Sequence, residues 1–407
     1  MQPTVWTSAP QWMSYSTLLT LEACPRRWAL NNAEYAPLWE NRGYPQPASM
    51  AALEGTIIHL SIQKIMSAFV EQGCASLSSE RAVQVLKILG GYSSIIVDSS
   101  KVVLCPLERN PRAAPSLDRI RQYLSTRVPE LRATIQRIMS RIHLEIPNVE
   151  SFPSQASLVK RECRQLHFGC HTEVELKAID LGWRGIADLL TLSESRCEIR
   201  DFKTGKVNDD HDFQLYMYAL LWWRDHDLNP TGRLANKLVL SYNHADIELP
   251  APNKADLAAV EENIRERTKA ALNSIQDNPP KARTSAANCE YCVVRHLCEE
   301  YWKWLCQQKF HDSSVTGKQT DIQMIVLGQH GPSSWDGVVE VSSANSTNSP
   351  ILLRINDHIT QLIPGQRIRL LSVGLAIDEE EIVESRRILV ATMRSYSEMY
   401  LLGEVNS

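Results

Sequence analysis

The segment Ile186–Lys203, IADLLTLSESRCEIRDFK, constrains this chain more than any other stretch. An apolar run ends at Leu192, a polar loop spans Ser193–Arg196, and a second run extends from Cys197 to Lys203. That pattern predicts a β-hairpin. With a four-residue loop and no bulge, Leu192 faces Cys197, and counting back sets Asp188 opposite Asp201. Directly opposed side chains lie about 5 Å apart, and like charges there are destabilising. Asp201 and Lys203 are two apart and share that face. Such a carboxylate pair is relieved by a proton on one acid or by a divalent cation between them. Hard oxygen donors suit Mg²⁺ or Mn²⁺, and a lysine beside such an ion suits phosphate chemistry. The competing arrangement is an edge hairpin in which a one-residue bulge separates exposed acids.

The rest of the chain sets the frame for that hairpin. At 407 residues, two domains are expected. Hydrophobic residues make up 43% and charged residues 22%, as in soluble globular proteins. No apolar run approaches the ~18 residues of a membrane span, so no membrane partner is expected. The first residues, MQPTVWTSAPQWMSYS, lack the basic and apolar regions of a secretory signal. A cytoplasmic protein, prokaryotic or viral, is expected, and ten cysteines there point to metal binding rather than five disulfides. The net charge of −4 does not advertise a polyanion binder. Residues 311–407, however, carry twelve acidic and seven basic side chains, which leaves the first 310 slightly positive. Any polyanion site therefore belongs in that first part.

Along the chain, SYSTLLTLEACPRRWAL reads as one helix with a serine cap, and GTIIHLSIQKIMSAF as a second. Residues 75–165 read as a mainly helical insert. Within it Arg119, Arg121, Arg127, Arg132, Arg137 and Arg141 form either a solvated helix face or a phosphate-contacting one. Strands are expected at EVELKAI, GWRGIADLLTL and CEIRDFK. A helix at DFQLYMYALLWWR, a strand at LANKLVLSYNH and a polar helix from Lys254 to Gln276 follow. The cysteine-rich stretch leads into a last helix, EEYWKWLCQQKF. A linker at 311–320 precedes six short strands in 321–407 with no helix between them, which predicts a small barrel or sandwich.

Other residues could complete the acidic site. His59 lies four residues after Gly55 on the second helix, where a neutral imidazole can ligate a metal, although most such histidines have no ligand role. Gln214 and Tyr218 are i, i+4 on the helix after the hairpin and share a face.

Four motifs in this order, GTIIH (Gly55–His59), GIAD (Gly185–Asp188), DFKTGK (Asp201–Lys206) and QLYMY (Gln214–Tyr218), resemble the PD-(D/E)XK nuclease superfamily, specifically its RecB-like branch. The resemblance covers about residues 11–306. It implies a mixed α/β sheet flanked by helices, with residues 1–310 forming the nuclease domain. It also implies a Mg²⁺ or Mn²⁺ site at His59, Asp188 and Asp201, with Lys203 catalytic. Gln214 and Tyr218 would position DNA or the core site. A further acid on the preceding strand is common in such sites, with Glu173 the better match and Glu175 the alternative. The implied reaction is phosphodiester hydrolysis, with water activated at the metal site and Lys203 stabilising the developing charge.

Cys289, Cys292 and Cys298 form C-x2-C-x5-C, which calls for a fourth ligand; Cys306, His296 or a distant cysteine could supply it. RecB-like nucleases with an iron–sulfur cluster, among them CRISPR adaptation and AddAB-type nucleases, place one cysteine before the core and three after it. By that resemblance Cys24, followed by Pro25, joins Cys289, Cys292 and Cys298 around a [4Fe–4S] cluster, a structural staple, with four-thiolate zinc the alternative. Cys74, Cys105, Cys163, Cys170 and Cys197 fit no metal spacing. The C-terminal strands, with Gly365 as a turn, look like an OB-fold barrel. Its acidity and few aromatics favour docking of a protein partner at least as much as nucleic-acid binding.

The function implied is a deoxyribonuclease, an exonuclease on single-stranded or free DNA ends in repair, recombination, CRISPR adaptation or defence. A catalytically silent DNA-binding subunit and a site-specific endonuclease are the alternatives.

Overall fold

The hairpin forms in the register that its loop length dictates. In a computed structural model of the protein, Leu192 pairs with Cys197, Thr191 with Glu198, Leu190 with Ile199 and Leu189 with Arg200, without a bulge. The structure describes residues 3–36, 38, 43–145, 164–208, 210–308, 319–342, 348–355, 361–383 and 386–402. Cys163 and most of the expected 311–320 linker fall outside these residues.

The helices are α1 (Tyr15–Ala23), α2 (Pro25–Asn32), α3 (Met50–Glu71), α4 (Glu80–Ile88), α5 (Gly91–Leu104), α6 (Leu117–Met139), α7 (Asp210–Arg224), α8 (Lys254–Asn273), α9 (Ala286–Cys289) and α10 (Glu299–Gln307). The strands are β1 (Gly169–Ala178), β2 (Trp183–Leu192), β3 (Cys197–Lys203), β4 (Lys237–Tyr242) and β5 (Asp246–Leu249), then β6 (Gln319–Gly331), β7 (Ser334–Ser342), β8 (Pro350–Arg354), β9 (Arg367–Val383), β10 (Arg386–Thr392) and β11 (Glu398–Leu401). The single helix expected from Ser14 to Leu30 is two helices. Pro25 has no N–H to continue the ladder and pushes the residue before it out of the helical region. Cys24 accordingly adopts φ −162°, ψ 106° between α1 and α2.

Two compact units divide the chain. One comprises 8–22 and 45–276; the other comprises 1–7, 23–44 and 277–407.

In the first unit, β1-β2-β3-β4-β5 form one mixed sheet in which only β3 and β4 run parallel. A helical layer covers part of it. Ile57, Ile62, Ile65, Met66 and Phe69 of α3 pack with Ile96 of α5, Ile135 of α6, and Leu189 and Phe202 of the sheet. Asn253 caps α8, accepting from the N–H groups of Ala255 and Asp256 while Asp256 accepts from the Asn253 N–H. The arginines of α6, and Arg141 just after it, are largely committed to protein partners. Arg121 pairs with Glu108 and Asp118, Arg127 with Glu54 and Glu130, Arg137 with Asn243, and Arg141 with Asp246. The pairs of Arg121 are solvent-exposed, whereas Arg127 and Arg141 are half-buried in theirs.

The second unit contains a closed ring of strands, β6-β7-β8-β10-β9 and back to β6, with β11 added on β9. The β8–β10 pairing is parallel and the others in the ring are antiparallel. Ile322, Met324, Val326, Val339, Leu353, Ile368 and Leu370 fill its interior. All six strands lie where the sequence placed them. Gly365 takes φ +84° at the turn before β9, a conformation that L side chains rarely adopt. Among the described residues no single helix is long and apolar enough to cross a membrane.

Candidate active site and cysteine cluster

Counting rungs across the first unit's sheet brings three acids into one row. On β1 and β2, Thr172 pairs with Leu189 and Val174 with Ala187, so the intervening rung sets Glu173 beside Asp188. On β2 and β3 the next rung past Leu189–Arg200 sets Asp188 beside Asp201. Asp188 therefore sits on the middle strand between two other carboxylates. Neither rung forms a regular pair: Glu173 has φ +51°, and Asp188 Oδ2 accepts the Phe202 N–H at 2.5 Å. The left-handed backbone at Glu173 marks strain at this point of the strand.

α3 brings His59 to the row, with Nδ1 3.2 Å from Asp188 Oδ1. Ligand atoms of His59, Glu173 and Asp188 all lie within 4.8 Å of one another, a spacing that suits one cation. Asp201 stands outside that trio, its Oδ2 paired with Lys203 Nζ at 2.6 Å. Asp188 and Asp201 are buried, 8% and 4% exposed. Burial, together with the charge of Asp188, raises the Asp201 carboxyl to about 6, against the pull of Lys203. Burial and Asp188 likewise raise Glu173. Burial disfavours a charged His59, but the hydrogen bond and charge of Asp188 outweigh it and raise the imidazole. Carboxyls raised in this way bind protons more readily, and a divalent cation would compete with those protons.

Lys203 is held from two sides. Its Nζ lies against Asp201 Oδ2 and donates to Gln214 Oε1 at 2.7 Å, and Gln214 Nε2 donates to Tyr218 Oη at 2.8 Å. An ammonium has three donors, so one remains for a ligand. The motif glycines follow from this packing. A Cβ on Gly185 would lie 2.8 Å from Tyr218 Cε1, and one on Gly55 would lie 2.9 Å from Thr204 Oγ1. Gly185 thus lets α7 seat the Tyr218–Gln214–Lys203 chain on the sheet, and Gly55 lets α3 approach the end of β3. His59 and Lys203 open onto a cleft of about 670 Å³ shared with Phe202, Thr204, Lys206 and His211.

The structure brings together every residue expected at the acidic site: His59, Asp188, Asp201, Lys203, Gln214, Tyr218 and Glu173. Between the two acids considered on β1, Glu175 instead pairs with Lys177 at 2.7 Å. His211 escaped notice in the sequence. Its only signal was a position one turn before Gln214 on the same helix.

The second unit gathers the other donor set. Cys24, Cys289, Cys292 and Cys298 are all buried. Burial raises the thiols of Cys289, Cys292 and Cys298, and each also feels Cys24 electrostatically. Arg27 favours thiolate at Cys289 and Cys292, as Arg26 does at Cys298. The Arg283 N–H donates to Cys24 Sγ at 3.4 Å. Among the described residues no three cysteine sulfurs lie within 4.8 Å of one another. Cys306 is exposed, and His296 is engaged by Tyr44 Oη at 2.7 Å.

Fold and site together describe an α/β protein in which a His59–Glu173–Asp188 cluster that could hold a cation lies beside a fixed lysine. Residues 12–299 match the model of the PD-(D/E)XK nuclease superfamily, more than half of the chain, and the protein belongs to that superfamily. No curated protein matches the chain. Two solved structures are similar in part. "Crystal structure of SSO0001" is 21% identical over 32% of this chain and 61% of its own, with a TM-score of 0.20. "Crystal structure of p204 HINb domain" is 10% identical over 57% of this chain and 91% of its own, with a TM-score of 0.18. The chain spans about three fifths of the length of the first, and neither score indicates a shared overall fold.

Proposed function

We propose that the protein is a metal-dependent DNA exonuclease of the RecB-like branch, acting on single-stranded or free DNA ends in repair, recombination, CRISPR adaptation or defence. The observation that carries the reading is the row Glu173–Asp188–Asp201 with His59 above it and Lys203 fixed beside it. His59, Glu173 and Asp188 would hold Mg²⁺ or Mn²⁺, with Asp201, a ligand by the family resemblance, set beside them against Lys203. When bound, the ion neutralises phosphate charge and makes water a competent nucleophile at neutral pH. The chain's own residues do the rest. Asp201 and Gln214 aim the remaining Lys203 donor at a phosphate oxygen, where negative charge builds in the transition state. Tyr218, seated on Gly185, keeps Gln214 from rotating away.

In the second unit, Cys24, Cys289, Cys292 and Cys298 hold a [4Fe–4S] cluster that staples the segment after α1 to the segment before α10. Thiolates on one zinc ion would stand about 3.8 Å apart, given Zn–S bonds of about 2.3 Å. What supports a shared group is that all four cysteines are buried in one unit, three of them feeling Cys24 electrostatically. The closed five-strand ring with one parallel pairing supports an OB-like barrel that docks a protein partner.

The test is cleavage of end-labelled linear single strands and of circular single strands with Mn²⁺. Linear strands should be degraded and circles left intact. Asp201→Ala and Lys203→Ala should each lose on the order of 10²–10³-fold in rate. Cut circles would indicate an endonuclease, and no cutting by the wild type would remove the nuclease reading. A brown protein that contains iron and sulfide would support the cluster; a colourless anaerobic sample that contains zinc would refute it.

A further inference from the structure

One side chain in the cleft is set as deliberately as Lys203 and takes no part in the scheme above. Strands β3 and β4 run parallel with Lys203 paired to Tyr242. Tyr242 therefore emerges beside Lys203 on the same face of the sheet. Its Oη lies 2.7 Å from His211 Nδ1, on the first turn of α7. His211 lines the cleft with His59, Lys203, Thr204 and Lys206.

The chain of hydrogen bonds decides which way His211 can act. The Asn208 backbone bonds the Tyr242 hydroxyl, and the phenol is held above its ordinary range by burial. Tyr242 thus stays protonated, accepts from Asn208 and needs an acceptor for its own proton. Nδ1 of His211 is that acceptor. An imidazole that accepts at Nδ1 carries its proton on Nε2. Burial and the neighbouring Lys203 ammonium disfavour a second proton on the ring and outweigh the opposing pull of Asp210 and Asp212. His211 is therefore a neutral donor in a cleft whose other polar lining is largely cationic.

We infer that His211 donates its Nε2–H to a non-bridging phosphate oxygen of the nucleic-acid strand in the cleft, and that Tyr242 is the positioning residue that fixes the donating tautomer. The inference rests on the nuclease reading and adds to it a contact distinct from the metal ligands and Lys203. A neutral donor adds hold on the backbone without further charge crowding beside Lys203. Tyr242 touches no substrate and acts only through His211.

The experiment is strand binding by the full-length protein, read as fluorescence anisotropy of an end-labelled oligonucleotide in Ca²⁺, with melting curves to confirm that each variant folds. Loss of one hydrogen bond to a charged group predicts about a tenfold weaker Kd for His211→Ala. Tyr242→Phe should lose less, about threefold, because the ring remains but its tautomer is no longer fixed. The double variant should bind no worse than His211→Ala alone. A single neutral methylphosphonate, moved along the strand, should weaken wild-type binding at one position where it leaves His211→Ala unchanged. A folded His211→Ala that binds like wild type overturns the inference, as does a double variant weakened by both factors. If the wild type cleaves DNA, such a result removes only the role of His211. If the wild type neither binds nor cleaves, the nuclease reading and this inference fail together.

Discussion

The two donor sets of this protein solve opposite problems. The acidic set is hard and crowded and opens on one side: carboxylates from three adjacent strands form one row, and the imidazole and lysine beside them line a cleft. The cysteine set is soft, buried and closed, with its thiols raised by burial among apolar neighbours such as Val294 and Leu297. Open coordination leaves room for a substrate, whereas closed coordination leaves room only for a structural role. The acids should therefore cost the empty protein stability, and the cysteines should supply it once loaded. Functional sites commonly carry such a cost.

That opposition gives the largest expected effect. On the proposed cluster, Cys24→Ser should lower the iron content and destabilise the second unit by roughly several kcal/mol, since ligation energy is folding energy. Urea unfolding and iron content per chain read both. An unchanged melting curve with the iron gone would break the contrast.

Gly185→Ala comes next. The added methyl meets the Tyr218 ring at 2.8 Å, inside normal contact. Overpacking of this kind costs about 1–3 kcal/mol. Because the strain falls on the residue that holds Gln214, the cleavage rate should fall more than Mn²⁺ affinity does. An equal fall in both would place Gly185 in the metal site rather than behind the lysine.

Asp201→Asn should act in the other direction on stability. It removes a buried charge from beside Asp188, so the metal-free protein should gain about 1 kcal/mol while losing cleavage. The smallest effect has the same origin. With its folded value at about 6 against 3.8 for an unperturbed carboxyl, Asp201 keeps a proton that the unfolded chain has already lost. Unfolding free energy of the metal-free protein should therefore fall as pH rises from about 4 to about 6. Thermal melts in EDTA should show that decline, and Asp201→Asn should flatten it.

Much of this was legible in the chain itself, for identifiable reasons. A four-residue loop between two apolar runs set the hairpin register, so Asp188, Asp201 and Lys203 could be placed by counting. Pro25 breaks the helix at Cys24, but the apolar pattern running through it reads as one continuous helix. Glu173 and Glu175 have the same parity on β1. Only the left-handed backbone at Glu173, which no sequence pattern marks, separates a residue at the site from one paired with Lys177. His211 and Tyr242 meet across 31 residues of sequence, because β4 pairs in parallel with β3 after the α7 crossover. No local period reports such a contact.

The central claim is that a metal site and a separately fixed lysine work side by side. Mn²⁺ titration by calorimetry, paired with cleavage of a labelled linear strand, tests it on the wild type, Asp188→Ala and Lys203→Ala. The expected result is that Lys203→Ala binds Mn²⁺ yet does not cleave, whereas Asp188→Ala does neither. Mn²⁺ binding by Asp188→Ala with wild-type affinity, or cleavage by Lys203→Ala at the wild-type rate, would contradict it.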